Sequence, residues 1–256
     1  MADADARVAI VTGGNRGIGL EVVRGLAAAG LRVIVAGRKP GGAGEHWPLD
    51  LARLASVRAF VDRARAELTR VDVLVCNAAV WPGALRTTAD GLELAFGINH
   101  VAHAALCAGL EPLLRAAAPA RVVIVASGLH ARGEPRWDPP RGRFDPVANY
   151  ARSKLANVLH ALWLARHLAG SKVTVTSLHP GVVATDLTRE VPSMRPSRAI
   201  TPAAAARSIL RLALAPELAG VTGRYFDRDQ PRRPAPVALD RATQDRLQLV
   251  TEQLLR

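Results

Sequence analysis

The stretch RVAIVTGGNRGIGLEVVRGLAAAGLRVIVAG, residues 7–37, carries the pattern that decides the fold. An apolar, β-branched run over 7–12 stops at two glycines, and apolar residues at helical spacing then extend over 18–29 until Gly30. A second apolar run over 31–37 follows directly. A strand, a glycine turn, a helix and a strand within about 30 residues form a parallel crossover unit.

The same alternation continues along the chain. Apolar runs recur at 71–76, 121–126 and 173–178, and helical patterns cover 56–68, 91–115 and 150–168. Strands that are apolar along their whole length are buried on both faces. The sequence therefore predicts an α/β fold with a single Rossmann-type, doubly wound parallel sheet, helices on both faces, and one domain over residues 1–256. Between Gly37 and a strand candidate at 46–49 the chain is short and glycine-rich, which predicts a loop crossover there.

Composition limits the classes of partner. The 34 Lys+Arg against 22 Asp+Glu give a net charge of +12, but the arginines are scattered and only 4% of residues are aromatic. Nucleic-acid binding needs a basic stripe with aromatic residues between the charges, so we expect no nucleic-acid partner.

Cys76 and Cys107 have no metal-ligand spacing and are expected to be reduced thiols of a cytoplasmic protein without a metal. No charge-free apolar run is long enough to cross a bilayer, which predicts no membrane partner.

The glycine turn lies where a phosphate cradle makes physical sense. Glycines allow close approach of the backbone, and a helix N-terminus presents free N–H groups and a partial positive charge. The residues assigned to the cradle are Gly13, Asn15, Arg16, Gly17 and Ile18. The second strand ends at Arg38-Lys39 without the carboxylate that would bind a ribose 2′-hydroxyl. Arg16 in the glycine turn can reach toward the same place. Two or three converging cations suit a 2′-phosphate, so the predicted cofactor is NADP(H).

Tyr150 and Lys154 lie four residues apart at the start of an apolar helix, so both side chains project from one face. A nearby ammonium lowers the pKa of a phenol, which suits proton exchange with an alcohol or a developing alkoxide. This spacing alone is a common accident. Ser127 strengthens the assignment because it follows a buried strand on the ligand-bearing edge of the predicted sheet.

Several ordered motifs together resemble the short-chain dehydrogenase/reductase family across essentially the whole chain. They are T-G-x-x-x-G-I-G at 12–19, Asp50-Leu51, Asn77-Ala78-Ala79, Asn99, Ser127, Tyr150-x-x-Ser153-Lys154, and Pro180-Gly181 followed by Thr185. Local details, among them Ser127-Gly-Leu-His130 and the late Gly223-Arg-Tyr-Phe226, are similar to retinol-dehydrogenase-like and WW-domain-oxidoreductase-like members. The family has Gly where this chain has Ala79, and it has a helix where this chain has the short segment after Arg38.

The resemblance implies a catalytic group. Tyr150 would be the general acid/base, and Ser127 would hydrogen-bond the substrate oxygen. Lys154 would bind the nicotinamide ribose and lower the pKa of Tyr150. Asn99 would hold a water that links Lys154 to solvent.

The resemblance also implies further cofactor contacts. Asp50 and Leu51 would contact adenine, and Asn77 and Ala78 would line the cofactor groove. The remaining contacts would come from a segment after the last predicted strand and consist of Pro180, Gly181, Val183 and Thr185. Residues 186–201 would then form a lid over the substrate.

The sequence leads to an NADP(H)-dependent oxidoreductase that interconverts a carbonyl and an alcohol on a hydrophobic small molecule, with a ketoreductase of secondary metabolism as the narrower interpretation. The alternative is a non-catalytic NADP(H)-sensing regulatory module. The apolar faces of 91–115 and 150–168 leave a homo-oligomer open. The histidines near the predicted site, His100, His103 and His130, are interpreted as ordinary packing residues.

Overall fold

A single sheet of eight strands organises the chain. The computed structural model describes residues 6–137, 144–183, 186–188, 191 and 199–256. The strands are β1 (Val8–Thr12), β2 (Arg32–Gly37), β3 (Glu45–Pro48), β4 (Val73–Cys76), β5 (Ala120–Val125), β6 (Val173–His179), β7 (Arg224–Asp227) and β8 (Gln230–Arg232). Their spatial order is β3-β2-β1-β4-β5-β6-β7-β8. All neighbouring pairs are parallel except β7 and β8, which form an antiparallel hairpin.

Helices cover both faces of this sheet. They are α1 (Gly17–Ala28), α2 (Leu54–Glu67), α3 (Leu94–Phe96), α4 (Ala102–Ala116), α5 (Pro146–His167), α6 (Pro202–Leu214) and α7 (Arg241–Leu254). Side chains of α2, α4 and α5 pack on one face, and those of α1 and α6 pack on the other. Alternate strand residues divide between the two cores: Ile10 belongs to the first and Val11 to the second. The predicted doubly wound α/β fold is thus confirmed.

The chain order reverses between β1 and β4, which lie side by side in the sheet. In open parallel sheets, ligands bind in the crevice outside the carboxyl ends of the strands at such a switch point. The loop crossover is also confirmed, since β3 pairs in parallel with β2 and no helix lies between them.

Two expectations need correction. The single helix predicted over 91–115 is wrong at its start: α3 has one turn, a π-helical turn over Gly97–Val101 follows, and only then does α4 begin. The hairpin of β7 and β8 was not predicted, because its strands have only four and three residues and little apolar periodicity.

Thr185 and most of the predicted lid over 186–201 lie outside the described residues, so both stay predictions. Within the described ranges, no helix is both long and apolar enough to span a membrane.

Candidate active site

The glycine turn after β1 adopts a conformation that glycine favours. Gly13 and Gly17 have φ angles of +66° and +55°, in the left-handed region. A Cβ on Gly13 would lie 3.1 Å from Ala78, so the two strand ends approach closely here. Arg16 precedes α1 and gives its first turn no side-chain cap. The free N–H groups of that turn can therefore bind an anion.

Thr12 joins the glycine turn to the end of β4. Its Oγ1 accepts hydrogen bonds from the backbone N–H groups of Asn77 at 2.9 Å and Ala78 at 3.0 Å. The side chain of Asn77 donates back to the Thr12 carbonyl oxygen at 3.0 Å. Thr12 Oγ1 also lies 2.9 Å from Nε2 of His103, and Nδ1 of that ring lies 3.1 Å from the Asn99 carbonyl oxygen.

The proton positions in this network follow from the acceptors. A carbonyl oxygen can only accept, so His103 carries its proton on Nδ1. Its Nε2 must then accept the hydroxyl proton of Thr12. Burial lowers the pKa of His103 to about 4, which keeps the ring neutral at ordinary pH.

The cations expected to meet a 2′-phosphate lie on the surface. Arg38 and Lys39 follow β2 and are exposed, and neither forms an ion pair with any residue that the structure describes. Arg16 is engaged elsewhere, because its Nη1 lies 2.5 Å from a carboxylate oxygen of Asp186. The short loop before β3 lies against the glycine turn, since a Cβ on Gly41 would lie 3.1 Å from the Asn15 carbonyl oxygen.

Asp50 and Leu51 follow β3 at the same edge of the sheet. The Asp50 carboxylate accepts from the Ala52 N–H at 3.0 Å and lies 3.8 Å from Arg53. Leu51 is buried in the core beneath. Neighbouring residues thus hold the Asp50 carboxylate in place beside the apolar side chain of Leu51.

Tyr150 lies deep in the opposite half of the crevice. Only 4% of its surface is exposed. Its phenol ring stacks on the indole of Trp81 with centroids 4.1 Å apart and planes 6° apart. Burial raises the pKa of Tyr150, and a hydrogen bond from the Ser127 side chain opposes that shift.

Lys154 is almost fully buried one helical turn further along α5. Its ammonium donates to the Val125 carbonyl oxygen at 2.9 Å and lies 5.7 Å from the centre of the Tyr150 ring. Burial lowers the pKa of Lys154 to about 7. Burial thus raises the pKa of Tyr150 and lowers that of Lys154, and the lowering of the Tyr150 pKa by Lys154 stays a prediction.

Asn99 lies in the π-helical turn and holds two segments together. Its Oδ1 accepts from the Val80 N–H at 2.8 Å, while its Nδ2 donates to the Val80 carbonyl and to Ser153 Oγ, each at 3.0 Å. Ser153 Oγ in turn donates to the Tyr150 carbonyl oxygen at 2.8 Å. Both amide hydrogens of Asn99 are thus used by the protein, and a bound water would have to use an oxygen lone pair.

Ser127 begins a 3₁₀ turn, Gly128–Arg132, and its hydroxyl accepts from the Leu129 N–H at 3.2 Å. His130 holds the Ser127 backbone through an Nδ1 contact of 2.7 Å with the carbonyl oxygen. Nε2 of the same ring accepts from the Ala235 N–H at 3.2 Å. His130 thus ties Ser127 to the C-terminal part of the chain.

The segment after β6 borders the crevice as well. Pro180 is buried, and Gly181 has a φ of +97°. A Cβ on Gly181 would collide with the Ile200 side chain. Val183 pairs with Ile200 in an isolated parallel bridge.

Sequence reasoning missed Trp81 and gave His103 no specific contact. Trp81, Tyr150 and Val191 form a small apolar cluster against which three partly buried side chains pack, namely Leu129, Val147 and Leu187. The one local signal for Trp81 is a large aromatic residue directly after Asn77-Ala-Ala-Val. Its partner Tyr150 is far away in the chain, so only the tertiary structure shows the contact.

The geometry fits a dinucleotide along the carboxyl edge of the sheet. The uncapped N-terminus of α1 offers N–H donors to a pyrophosphate, and Gly13 leaves the backbone bare where a Cβ would crowd Ala78. Arg38 and Lys39 offer positive charge beyond the end of β2 that no described residue pairs.

Comparisons with known proteins agree with this arrangement. The sequence model of the family described as short chain dehydrogenase matches residues 7–196. Retinol dehydrogenase 14 from Mus musculus is 34% identical over 283 residues, which cover 96% of this chain and 85% of the relative.

Two solved structures are similar in fold. An uncharacterised protein from Mycobacterium paratuberculosis superimposes with a TM-score of 0.79 and 29% identity, covering 97% of this chain and 93% of the other. A protein described as an NAD(P)-dependent gluconate 5-dehydrogenase from Beutenbergia cavernae, with bound NADP, has a TM-score of 0.70 and 29% identity, covering 87% and 95%.

Proposed function

Because the chain belongs to the short-chain dehydrogenase family, in its retinol-dehydrogenase-like branch, we propose that it is an NADP(H)-dependent oxidoreductase that interconverts a carbonyl and an alcohol on a hydrophobic small molecule. The observation that carries the proposal is the burial of Tyr150 and Lys154 side by side on α5, with the Lys154 ammonium 5.7 Å from the centre of the phenol ring. A ketoreductase that acts on a secondary metabolite is the narrower form of the proposal.

Tyr150 and Ser127 would act on one substrate oxygen. The Ser127 hydroxyl donates a hydrogen bond to the carbonyl oxygen and orients it, while the phenol gives its proton to the same oxygen as negative charge develops there. The phenolate that remains lies near the Lys154 ammonium, whose positive charge stabilises it. When bound, the nicotinamide supplies or accepts the hydride.

The protein also excludes water from the reacting groups. Tyr150 and Lys154 are both almost fully buried, and the side chains of Trp81, Leu129 and Val147 form an apolar border around the phenol. Electrostatic interactions are stronger in such surroundings than in water. An apolar border favours an apolar substrate, which supports the hydrophobic class.

The cofactor half of the proposal assigns roles residue by residue. Gly13, Gly17 and the first N–H groups of α1 would hold the pyrophosphate, with Asn15 and Ile18 flanking it. Arg38 and Lys39 would hold the 2′-phosphate, and Arg16 would join them when it leaves Asp186. Asp50 and Leu51 would lie beside adenine. Asn77 and Ala78 would line the cofactor groove, and Lys154 would bind the nicotinamide ribose. Further contacts would come from Pro180 and Gly181, with Val183 and Thr185 facing the nicotinamide carboxamide.

Replacing the phenol hydroxyl tests the chemistry. We expect Tyr150→Phe to lower turnover by about 10²- to 10⁴-fold, the contribution of a general acid, while NADPH binding is retained. Turnover is measured by loss of NADPH absorbance over a panel of hydrophobic aldehydes and ketones. Tyr225→Phe is the matched control, because Tyr225 is the only other tyrosine in the chain. Near-normal turnover of Tyr150→Phe would refute the assignment, and NADPH binding by the wild type without reduction of any compound would favour the sensing module.

A charge reversal tests the cofactor preference. Arg38→Asp removes a charge-assisted contact worth about 1.5–3 kcal/mol, so we expect NADPH affinity to fall about 10- to 100-fold while NADH affinity changes little. Arg24→Asp makes the same charge change at an exposed position of α1 and should affect the two cofactors equally. Equal losses for NADPH and NADH in Arg38→Asp would contradict the 2′-phosphate assignment.

A further inference from the structure

The contact between Trp81 and Tyr150 has a geometry beyond ordinary core packing. The rings are nearly parallel, with planes 6° apart and centroids 4.1 Å apart, so the indole covers one face of the phenol. Trp81 is itself only 7% exposed. A stacked aromatic pair of this kind contributes about 0.5–1.5 kcal/mol beyond the area that it buries.

The indole is held in place by a second contact. Its Nε1–H donates to the Pro146 carbonyl oxygen at 2.9 Å. Pro146 is the first residue of α5, one turn before Tyr150. Trp81 is therefore fixed to the same helix that carries the phenol, and its ring plane sets the plane in which the phenol can lie.

We propose that Trp81 is a positioning residue for Tyr150: its indole holds the phenol ring in one orientation at the reacting edge and keeps water off one ring face. The proposal rests on the acid/base role proposed for Tyr150. Trp81 touches the phenol ring and needs no contact with substrate or cofactor. Val147 and Leu187 pack against the apolar cluster that the pair forms with Val191.

A consequence of the proposal is measurable without turnover. Desolvation by the surrounding residues raises the pKa of Tyr150. Loss of the indole admits water to the ring face, which favours the charged phenolate. A substitution that removes the stack should therefore let the phenol ionise at lower pH, while one that keeps an aromatic ring should change ionisation less.

The chain is well suited to this titration because Tyr150 and Tyr225 are its only tyrosines. In a Tyr225→Phe background, tyrosinate absorbance reports Tyr150 alone. We expect Trp81→Leu to raise the ionised fraction of Tyr150 at least tenfold at a fixed alkaline pH at which the parent stays folded. Trp81→Phe keeps a smaller stacking ring and loses the bond to Pro146, so it should shift ionisation less than Trp81→Leu. Trp163→Leu is the matched control and should leave the titration unchanged, because Trp163 stacks on His167 at the far end of α5.

The outcomes separate this proposal from the proposed function. An unchanged or smaller ionised fraction in Trp81→Leu overturns the positioning role, whatever the turnover of the enzyme. Trp81→Met also removes the aromatic ring, and its flexible side chain adapts to the space that remains, so it carries the same expectation if the leucine variant does not fold. Near-normal turnover by Tyr150→Phe would overturn the proposed function. The titration would still show whether the Trp81 indole controls the ionisation of Tyr150.

Discussion

His103 provides the sharpest test of the hydrogen-bond network beneath the cofactor crevice. The ring donates from Nδ1 to the Asn99 carbonyl oxygen and accepts at Nε2 from Thr12, whose oxygen holds the N–H groups of Asn77 and Ala78. His103→Leu removes both ring contacts and keeps an apolar side chain of moderate size. The Thr12 hydroxyl is then left with the Val75 carbonyl oxygen at 3.4 Å, a poor acceptor distance.

The cost at neutral pH follows from the buried donor that loses its partner. Thr12 and His103 are both nearly inaccessible to water. Leaving a buried polar group without a good partner costs about 1–3 kcal/mol of unfolding free energy. Each kcal/mol lowers the melting temperature of a protein of this size by roughly 2–4 °C.

The pH dependence of that cost distinguishes the neutral ring from any other arrangement. Burial lowers the pKa of His103 to about 4 in the folded protein, whereas an unfolded histidine titrates near about 6.5. Between these values the unfolded chain binds more protons, so the stabilisation by the neutral ring is complete above about pH 6.5 and is lost as pH falls toward about 4. At about pH 5 the loss amounts to about 2 kcal/mol. His103→Leu has no such titrating ring and does not lose this stability. The difference in unfolding free energy between wild type and variant should therefore narrow by about 2 kcal/mol between about pH 7 and about pH 5.

The assay is denaturant unfolding of both proteins at about pH 7 and about pH 5, compared at equal slopes against denaturant concentration. His100 is also buried, and its pKa is lowered first by burial, a cause that both proteins share, so the main part of its contribution cancels in the difference. His167→Leu, at an exposed position of α5, serves as the control and should change stability little. If the difference in unfolding free energy between wild type and His103→Leu is the same at both pH values, His103 is not a neutral hydrogen-bond acceptor.

Three further outcomes are expected. Lys154→Met should abolish turnover yet raise the unfolding free energy at neutral pH by about 1–3 kcal/mol. A buried lysine whose pKa falls to about 7 destabilises the folded state by more than its hydrogen bond to Val125 stabilises it. Denaturant unfolding shows whether the variant is more stable than the wild type. Gly19→Ala should impair cofactor binding, measured by NADPH fluorescence, because the added methyl would overlap a carbonyl oxygen of the same turn. Asp186→Asn frees Arg16 from an exposed ion pair and should tighten NADPH binding by a factor of about 2–5, which calorimetry would detect.

The fold could be predicted from the sequence because its signals are local. The strand, glycine turn and helix over 7–37 are encoded by neighbouring residues, and the loop crossover before β3 followed from a segment too short and glycine-rich for a helix. The π-helical turn at 97–101 could not be predicted, since its residues have ordinary helical periodicity. The hairpin of β7 and β8 has strands too short to show a period.

The candidate site divides in the same way. Spacing alone placed Tyr150 and Lys154 on one helical face, and the end of a buried strand placed Ser127 at the edge that binds ligands in parallel sheets. Asn77 was assigned through the family resemblance. The electrostatic balance was not predictable. Burial raises the pKa of the tyrosine and lowers that of the lysine, and burial depends on what packs around a residue, which no spacing specifies.

The sequence by itself determined the α/β order, the position of the glycine turn and the shared face of Tyr150 and Lys154 on α5, because each depends on residues within a few turns of one another. Only the tertiary structure decided the pairing of Arg16 with Asp186, 170 residues away, and of Thr12 with His103, 91 residues away. It likewise decided the stack of Trp81 on Tyr150. These contacts join side chains that are distant in the chain, and their geometry is set by how the helices pack on the sheet.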